Sequence, residues 1–104
     1  MMGSLRLEVI TPRGRRVNEG GLTRVVLRRR EVHHDPGSQI IVLPSHAPLL
    51  IQTPAFDLRY SRGPDSYVIA VGPGIAEVLD DTVTLVASES GAVESARAGN
   101  KEVK

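Results

Sequence analysis

The chain has 104 residues and a mass of 11.2 kDa, enough for one small domain and too little for two, and its ten glycines and seven prolines point to short strands joined by turns rather than to helices. Cysteine is absent, which excludes disulfide staples, thiolate catalysis and cysteine-based zinc or iron–sulfur sites, and with Phe56, Tyr60 and Tyr67 as the only aromatic residues a base-stacking surface has almost no material. The net charge of +1 hides an asymmetry: residues 1 to 30 hold eight arginines against Glu8 and Glu19, while the rest of the chain holds five basic and ten acidic residues.

Met1 to Leu5 leads directly into an alternating pattern without the basic-then-apolar order of a signal peptide, so the domain is expected to begin at once and to stay in the cytoplasm. Leu5, Leu7 and Val9 alternate with Arg6 and Glu8, the period of a strand with one buried face. Thr11-Pro12-Arg13-Gly14 turns the chain, and Glu19-Gly20-Gly21 reads as a second break. Leu22 to Val32 is a strand that begins apolar, through Val25, Val26 and Leu27, and emerges into solvent at Arg28-Arg29-Arg30. His33-His34-Asp35-Pro36-Gly37-Ser38 carries reversal chemistry, so residues 22 to 43 read as a hairpin returning through Ile40 to Leu43.

Pro44 and Pro48 bracket a rigid bend before Leu49 to Gln52, since proline ends a central strand. Phe56, Leu58 and Tyr60 alternate with Asp57 and Arg59, and Arg62-Gly63-Pro64-Asp65 returns the chain onto Tyr67 to Val71. Gly72-Pro73-Gly74 breaks before Ile75 to Leu79, and Asp80-Asp81 turns into Val83, Leu85 and Ala87. The longest apolar runs are far short of the roughly 20 residues a membrane helix needs. The pattern predicts an all-β fold, an antiparallel β-sandwich or flattened barrel of about 8–10 short strands over residues 1–87. A tail over 88–104 lacks a strand pattern and is expected to be disordered, or helical for a turn or two around Ala92, Val93 and Ala96.

Chemistry-bearing constellations are sparse. His33, His34 and Asp35 suit a metal by type, but neighbours on a strand point to opposite faces and only His46 offers itself as a further ligand, so an exposed hairpin tip is the simpler reading. Ser45-His46 lacks a nucleophile elbow, and Gly72-Pro73-Gly74-Ile75-Ala76-Glu77 lacks the third glycine of a dinucleotide fingerprint. No active site and no cofactor are expected. The arginine run admits two readings, a basic face for an acidic partner or a solvated edge that discourages strand aggregation.

Val42-Leu43-Pro44-Ser45-His46-Ala47-Pro48-Leu49-Leu50 closely resembles the Leu-Pro-Gly-His-Ala-Pro-Leu signature of the epsilon subunit of F-type ATP synthases. Leu5 to Gly14 resembles that family's opening strand and turn, Val71 to Val78 its Ser-Gly-Gly-Phe-Ala-Glu-Val segment, and Val83 to Ala87 its last sandwich strand. The resemblance implies a ten-stranded sandwich in the central rotor. Its partners would be the gamma subunit and the ring of c subunits, with the alpha and beta catalytic head nearby and no nucleic acid. Such a subunit couples ion transport to ATP synthesis or hydrolysis without chemistry of its own, at the cytoplasmic face of the plasma membrane. A free-standing adaptor that binds an acidic partner through the arginine-rich hairpin is the alternative.

By position, the resemblance implies gamma contacts at Thr11, Pro44, Ser45, His46 and Pro48, and c-ring contacts at Glu31, His33, His34, Asp35, Ser38 and Gln39. For His46 a structural role, hydrogen-bonded to its own proline-bounded bend, stands beside the interface role. Three departures accompany the match. The family's short Gly-Glu-x-Gly turn is replaced by a longer, basic hairpin with Ile41 at the last glycine. Ser45 stands at the glycine of the signature, which implies a backbone conformation that does not require glycine. Val93-Glu94-Ser95-Ala96-Arg97-Ala98 resembles the nucleotide-binding Ile-Asp-x-x-Arg-Ala motif, giving Glu94 and Arg97 as a remnant, but the partner helix has no counterpart before Lys104, so neither ATP binding nor an inhibitory hairpin is expected.

Overall fold

A computed structural model describes residues 3–30 and 38–95. Ten strands lie in this part of the chain: β1 (Leu5–Thr11), β2 (Gly14–Leu22), β3 (Arg24–Arg28), β4 (Gln39–Val42), β5 (Leu49–Thr53), β6 (Phe56–Arg62), β7 (Asp65–Val71), β8 (Gly74–Leu79), β9 (Thr82–Ala87) and β10 (Glu94–Ser95). They form two five-stranded sheets, ordered β2-β1-β9-β8-β5 and β10-β7-β6-β3-β4. This is the expected sandwich.

The inner faces follow the sequence alternation. Leu5, Leu7 and Val9 are buried from β1, and Val83, Leu85 and Ala87 from β9, while Val25, Leu27, Leu58 and Ile69 meet them from the second sheet. Each fully buried Val, Leu or Ile side chain contributes about 1.5–3 kcal/mol, and among the described residues no charged side chain is buried in the core to offset it. Tyr60 and Tyr67, opposite each other on β6 and β7, stack with ring centroids 5.3 Å apart.

Three local expectations change. Gly20-Gly21 does not break the chain but lies within β2, where Leu5 pairs Leu22 and Leu7 pairs Glu19, so three residues of β2 span two of β1. Gly21, at φ 67°, absorbs that bulge because it has no Cβ to clash there. The sandwich is not wholly antiparallel: β1 pairs in parallel with β9, Ile10 opposite Val86, because a sequence pattern reports which face is buried and not which neighbour is met. The described part of the tail is extended rather than helical. Ser90 bridges Val71, and Glu94 and Ser95 pair with Val68 and Tyr67, so unsatisfied backbone groups at the edge of β7 hold the segment that has little apolar pattern of its own.

Gly72-Pro73-Gly74 is a break between strands, as expected, and it also carries the chain from one sheet to the other, against the outgoing tail. The Gly72 N–H donates to the Glu89 carbonyl at 3.0 Å, and the Ser88 N–H to that of Pro73 at 3.0 Å. A Cβ on Gly74 would collide with the carbonyl of Val86, so any side chain here forces the sheet backbone to shift.

Candidate functional site

Residues 43–48 cross from β4 in one sheet to β5 in the other, and the two prolines lie outside both strands as their missing or constrained backbone groups require. The turn closes through the His46 N–H, which donates to the Leu43 carbonyl at 3.1 Å. Ser45 is at φ 70°, the left-handed region, so the conformation here is the one glycine favours, contrary to the sequence expectation. What holds it is a carboxylate from another hairpin: the Ser45 N–H donates to Asp81 Oδ1 at 2.6 Å. Asp80 and Asp81 form the two-residue turn between β8 and β9, at φ 51° and 60°, which aims Asp81 at the 43–48 turn. The Asp81 carbonyl also accepts from the Arg6 N–H at 2.9 Å, tying the start of β1 to the same point.

His46 is half-buried and its Nδ1 lies 2.7 Å from the Ala47 carbonyl, which can only accept, so Nδ1 carries a proton and donates. The hydrogen bond within its own bend is therefore present. Pro48 is exposed and Pro44 half-buried beside it.

Thr11 is not brought near this turn. Its buried hydroxyl donates to the Gly14 carbonyl at 3.3 Å and accepts from the Arg13 N–H at 3.1 Å, closing the β1–β2 hairpin. β1 carries Thr11 roughly 17 Å from the Arg6–Asp81 end, at about 3.3 Å per residue. Ser38 and Gln39 sit at the base of the β3–β4 hairpin, where the Arg29 N–H donates to the Ser38 carbonyl at 2.8 Å and Gln39 pairs with Arg28. The Arg30 N–H reaches the Gln52 carbonyl at 2.8 Å, and Gln52, Ile75, Val86 and Ile10 run in register across the first sheet. The hairpin base thus shares an end with Thr11, opposite the Ser45 turn. Glu31, His33, His34, Asp35 and Arg97 lie outside the described residues, and Glu94 is exposed on β10.

Between the two ends, the outer face of the first sheet carries apolar side chains that the sequence reading did not single out. Leu50 is 71% exposed, Ile75 51% and Val86 53%, with Leu79 beside them. Their signal was available, because they occupy the outward positions of strands whose alternation was already clear.

On the open side of the sandwich, Arg62 of β6 meets Glu19 of β2 at 2.7 Å and also donates to the Gly20 carbonyl. This pair borders a cavity of about 230 Å³ lined by Arg16, Tyr60, Tyr67 and Val93. Burial, reinforced by the Glu19 charge, pushes the Tyr60 phenol above its ordinary value. Among the described residues no group of three or more His, Asp or Glu side chains is placed to hold a metal ion.

No family model matches the chain. It is 33% identical over 86 residues to the ATP synthase epsilon chain of Alkalihalophilus pseudofirmus, an alignment covering 83% of this chain and 59% of that protein. It is 33% identical over 88 residues to ATP synthase epsilon chain 1 of Syntrophotalea carbinolica, covering 57% of it. With the ATP synthase epsilon chain of Syntrophobacter fumaroxidans it is 32% identical over 103 residues, covering 94% of this chain and 70% of that one. The chain thus spans less than two thirds of the length of the first two relatives. Among solved structures, a chain of the central stalk and c-ring structure of Tetrahymena thermophila mitochondrial ATP synthase matches with a TM-score of 0.65 at 14% identity, over 85% of this chain and 66% of that one. A chain of the Euglena gracilis mitochondrial ATP synthase matches with a TM-score of 0.73 at 17% identity, over 88% and 54%. At those identities the likeness is one of fold.

Proposed function

The chain belongs to the epsilon-chain family of ATP synthases, and on that premise we propose that it is a non-catalytic rotor subunit of a membrane-bound, ion-translocating ATP synthase. In this reading it joins the gamma subunit to the c ring, couples ion transport to ATP synthesis or hydrolysis, and lies peripherally at the cytoplasmic face of the plasma membrane.

The observation that carries the reading is the placement of the signature turn. Pro44, Ser45, His46 and Pro48 are held to a second hairpin through Asp81, at one end of the first sheet, with Thr11 at the other. A gamma subunit that contacts both has to run along the outer face between them, where Leu50, Ile75 and Val86 stand exposed. Glu77, opposite Leu50, stands among them, and apolar side chains interspersed with polar ones are the composition of a non-obligate protein interface. The c-ring contacts then fall to the hairpin that includes Glu31, His33, His34, Asp35, Ser38 and Gln39. Glu94 is engaged as an edge strand rather than in a helix, so the Glu94–Arg97 remnant is assigned no nucleotide. The sandwich of residues 1–87 acts as the coupling body, and its cross-sheet hydrogen bonds resist shear under torque.

A tagged pull-down from detergent-solubilised membranes of the source organism, read by mass spectrometry, tests this. Recovery of gamma, c, alpha and beta subunits together supports it. Recovery of the chain without them, from an extract that contains the synthase, overturns the function and leaves the family.

A further inference from the structure

Because β1 and β9 pair in parallel, the chain leaving β9 runs past the β1–β2 turn. Ser88, Glu89 and Ser90 there face Thr11, Pro12, Arg13 and Arg16 across a cleft of about 360 Å³. Arg13 and Arg16 are exposed, and their guanidinium groups make no hydrogen bond or ion pair among the described residues. Ser90 Oγ is hidden from solvent and also lacks a hydrogen-bond partner among them. A hydroxyl in that state costs stability until an acceptor reaches it. The cleft also contains one carboxylate, Glu89.

We propose that this cleft binds the phosphate group of orthophosphate or of a phosphate monoester. Arg13 and Arg16 meet two of its oxygens with charge-assisted hydrogen bonds, and the Ser90 side chain, turned to a rotamer that opens its hydroxyl to the cleft, donates to a third. Glu89 repels a fully ionised anion but accepts from a P–OH. The second ionisation of such a phosphate lies near pH 6, so a protonated form is available close to neutrality. Sulfate and the phosphodiesters of lipids lack this proton under the same conditions, and Glu89 selects against them. The site is independent of the rotor reading.

Titration of the full-length, ¹⁵N-labelled chain with sodium phosphate at pH 6.5 and constant ionic strength, beside sodium sulfate, tests the assignment. Saturable shifts confined to the amides of Arg13, Arg16 and Ser88 to Gly91 are expected, with sulfate at least about tenfold weaker. R13Q and R16Q each weaken phosphate roughly tenfold, and E89Q brings sulfate level with phosphate. R24Q, an exposed arginine on the other sheet, leaves the affinity unchanged, and unaltered core resonances of Leu58 and Ile69 certify the fold of each variant. Glycerol 3-phosphate shifting the same amides assigns monoesters, and phosphate alone doing so assigns the free ion. Unsaturable shifts spread over all the arginines, sulfate binding as well as phosphate, or R24Q as damaging as R13Q would overturn the proposal.

Discussion

The backbone N–H of Ser45 donates to the Asp81 carboxylate at 2.6 Å across 36 residues of sequence, and both residues are in the left-handed backbone region, at φ 70° and 60°. Two turns from different parts of the chain are thereby locked to one another, and through the Arg6 N–H to the start of β1. A carboxylate that accepts from a backbone donor forms a stronger bond than a neutral acceptor does, which is why the serine is tolerated where its conformation costs about 1–2 kcal/mol.

Removing the acceptor loosens this node. Asp81→Ala is expected to lower the unfolding free energy by about 1–2 kcal/mol, because it deletes a charge-assisted bond and puts alanine at positive φ. Asp81→Asn keeps an acceptor and a residue that tolerates the turn, so it costs less. Urea denaturation of both variants checks the order, and equal losses would show that the bond does not hold the turn.

Ser45→Gly should raise stability by up to about 1 kcal/mol. Glycine relieves the left-handed strain, and the extra entropy of its unfolded chain takes back part of the gain. The shift in denaturation midpoint measures it; a clear loss of stability would mean that the serine hydroxyl makes a contact beyond the backbone bond.

At Gly74 the opposite holds. A methyl group there meets the Val86 carbonyl and the backbone of Ala87, in the sheet itself and not at a yielding side-chain tip. Gly74→Ala is expected to cost about 1–3 kcal/mol by overpacking, read from thermal or urea unfolding. At Gly72 the nearest neighbours are the Ser88 and Glu89 side chains, which can move, so Gly72→Ala should cost less.

Alkaline pH should weaken the fold through Tyr60. Its folded-state pKa is raised, first by burial and then by the Glu19 charge, so the neutral phenol is favoured in the native state. The associated stability is fully present below the unfolded value of about 10 and is lost as pH rises toward the folded value. Unfolding midpoints measured from pH 8 to 12 should fall more steeply for the wild type than for Tyr60→Phe; parallel curves would assign the loss elsewhere.

Leu50→Lys and Ile75→Lys test the proposed partner face. Both side chains are more than half exposed, so stability should change by no more than about 0.5 kcal/mol. Recovery of gamma in the pull-down should nevertheless drop, and more for Ile75→Lys, which lies opposite Gln52 and Val86, than for Leu50→Lys, which has Glu77 directly opposite to meet its charge. Leu27→Ala, a core change costing about 2–5 kcal/mol, separates loss of binding from loss of fold.

Most strands of the sandwich, and the family, are legible in the amino-acid order. Alternation at Leu5-Leu7-Val9 and Val83-Leu85-Ala87 is local, since each residue's face follows from the two-residue period of the strand, and the proline-bounded signature at residues 42–50 is a contiguous string. Tertiary structure alone decided which strands became neighbours, and with that the positions of the sites. The parallel pairing of β1 with β9, the bulge that keeps Gly20-Gly21 inside β2 and the edge strand at Glu94–Ser95 each depend on backbone donors and acceptors offered by distant residues. So does the Ser45–Asp81 bond, whose two ends are unremarkable in their own turns and acquire meaning only when the sheets pack. A side chain's burial preference is carried in its own chemistry, whereas a hydrogen-bond partner is set by the path of the whole chain.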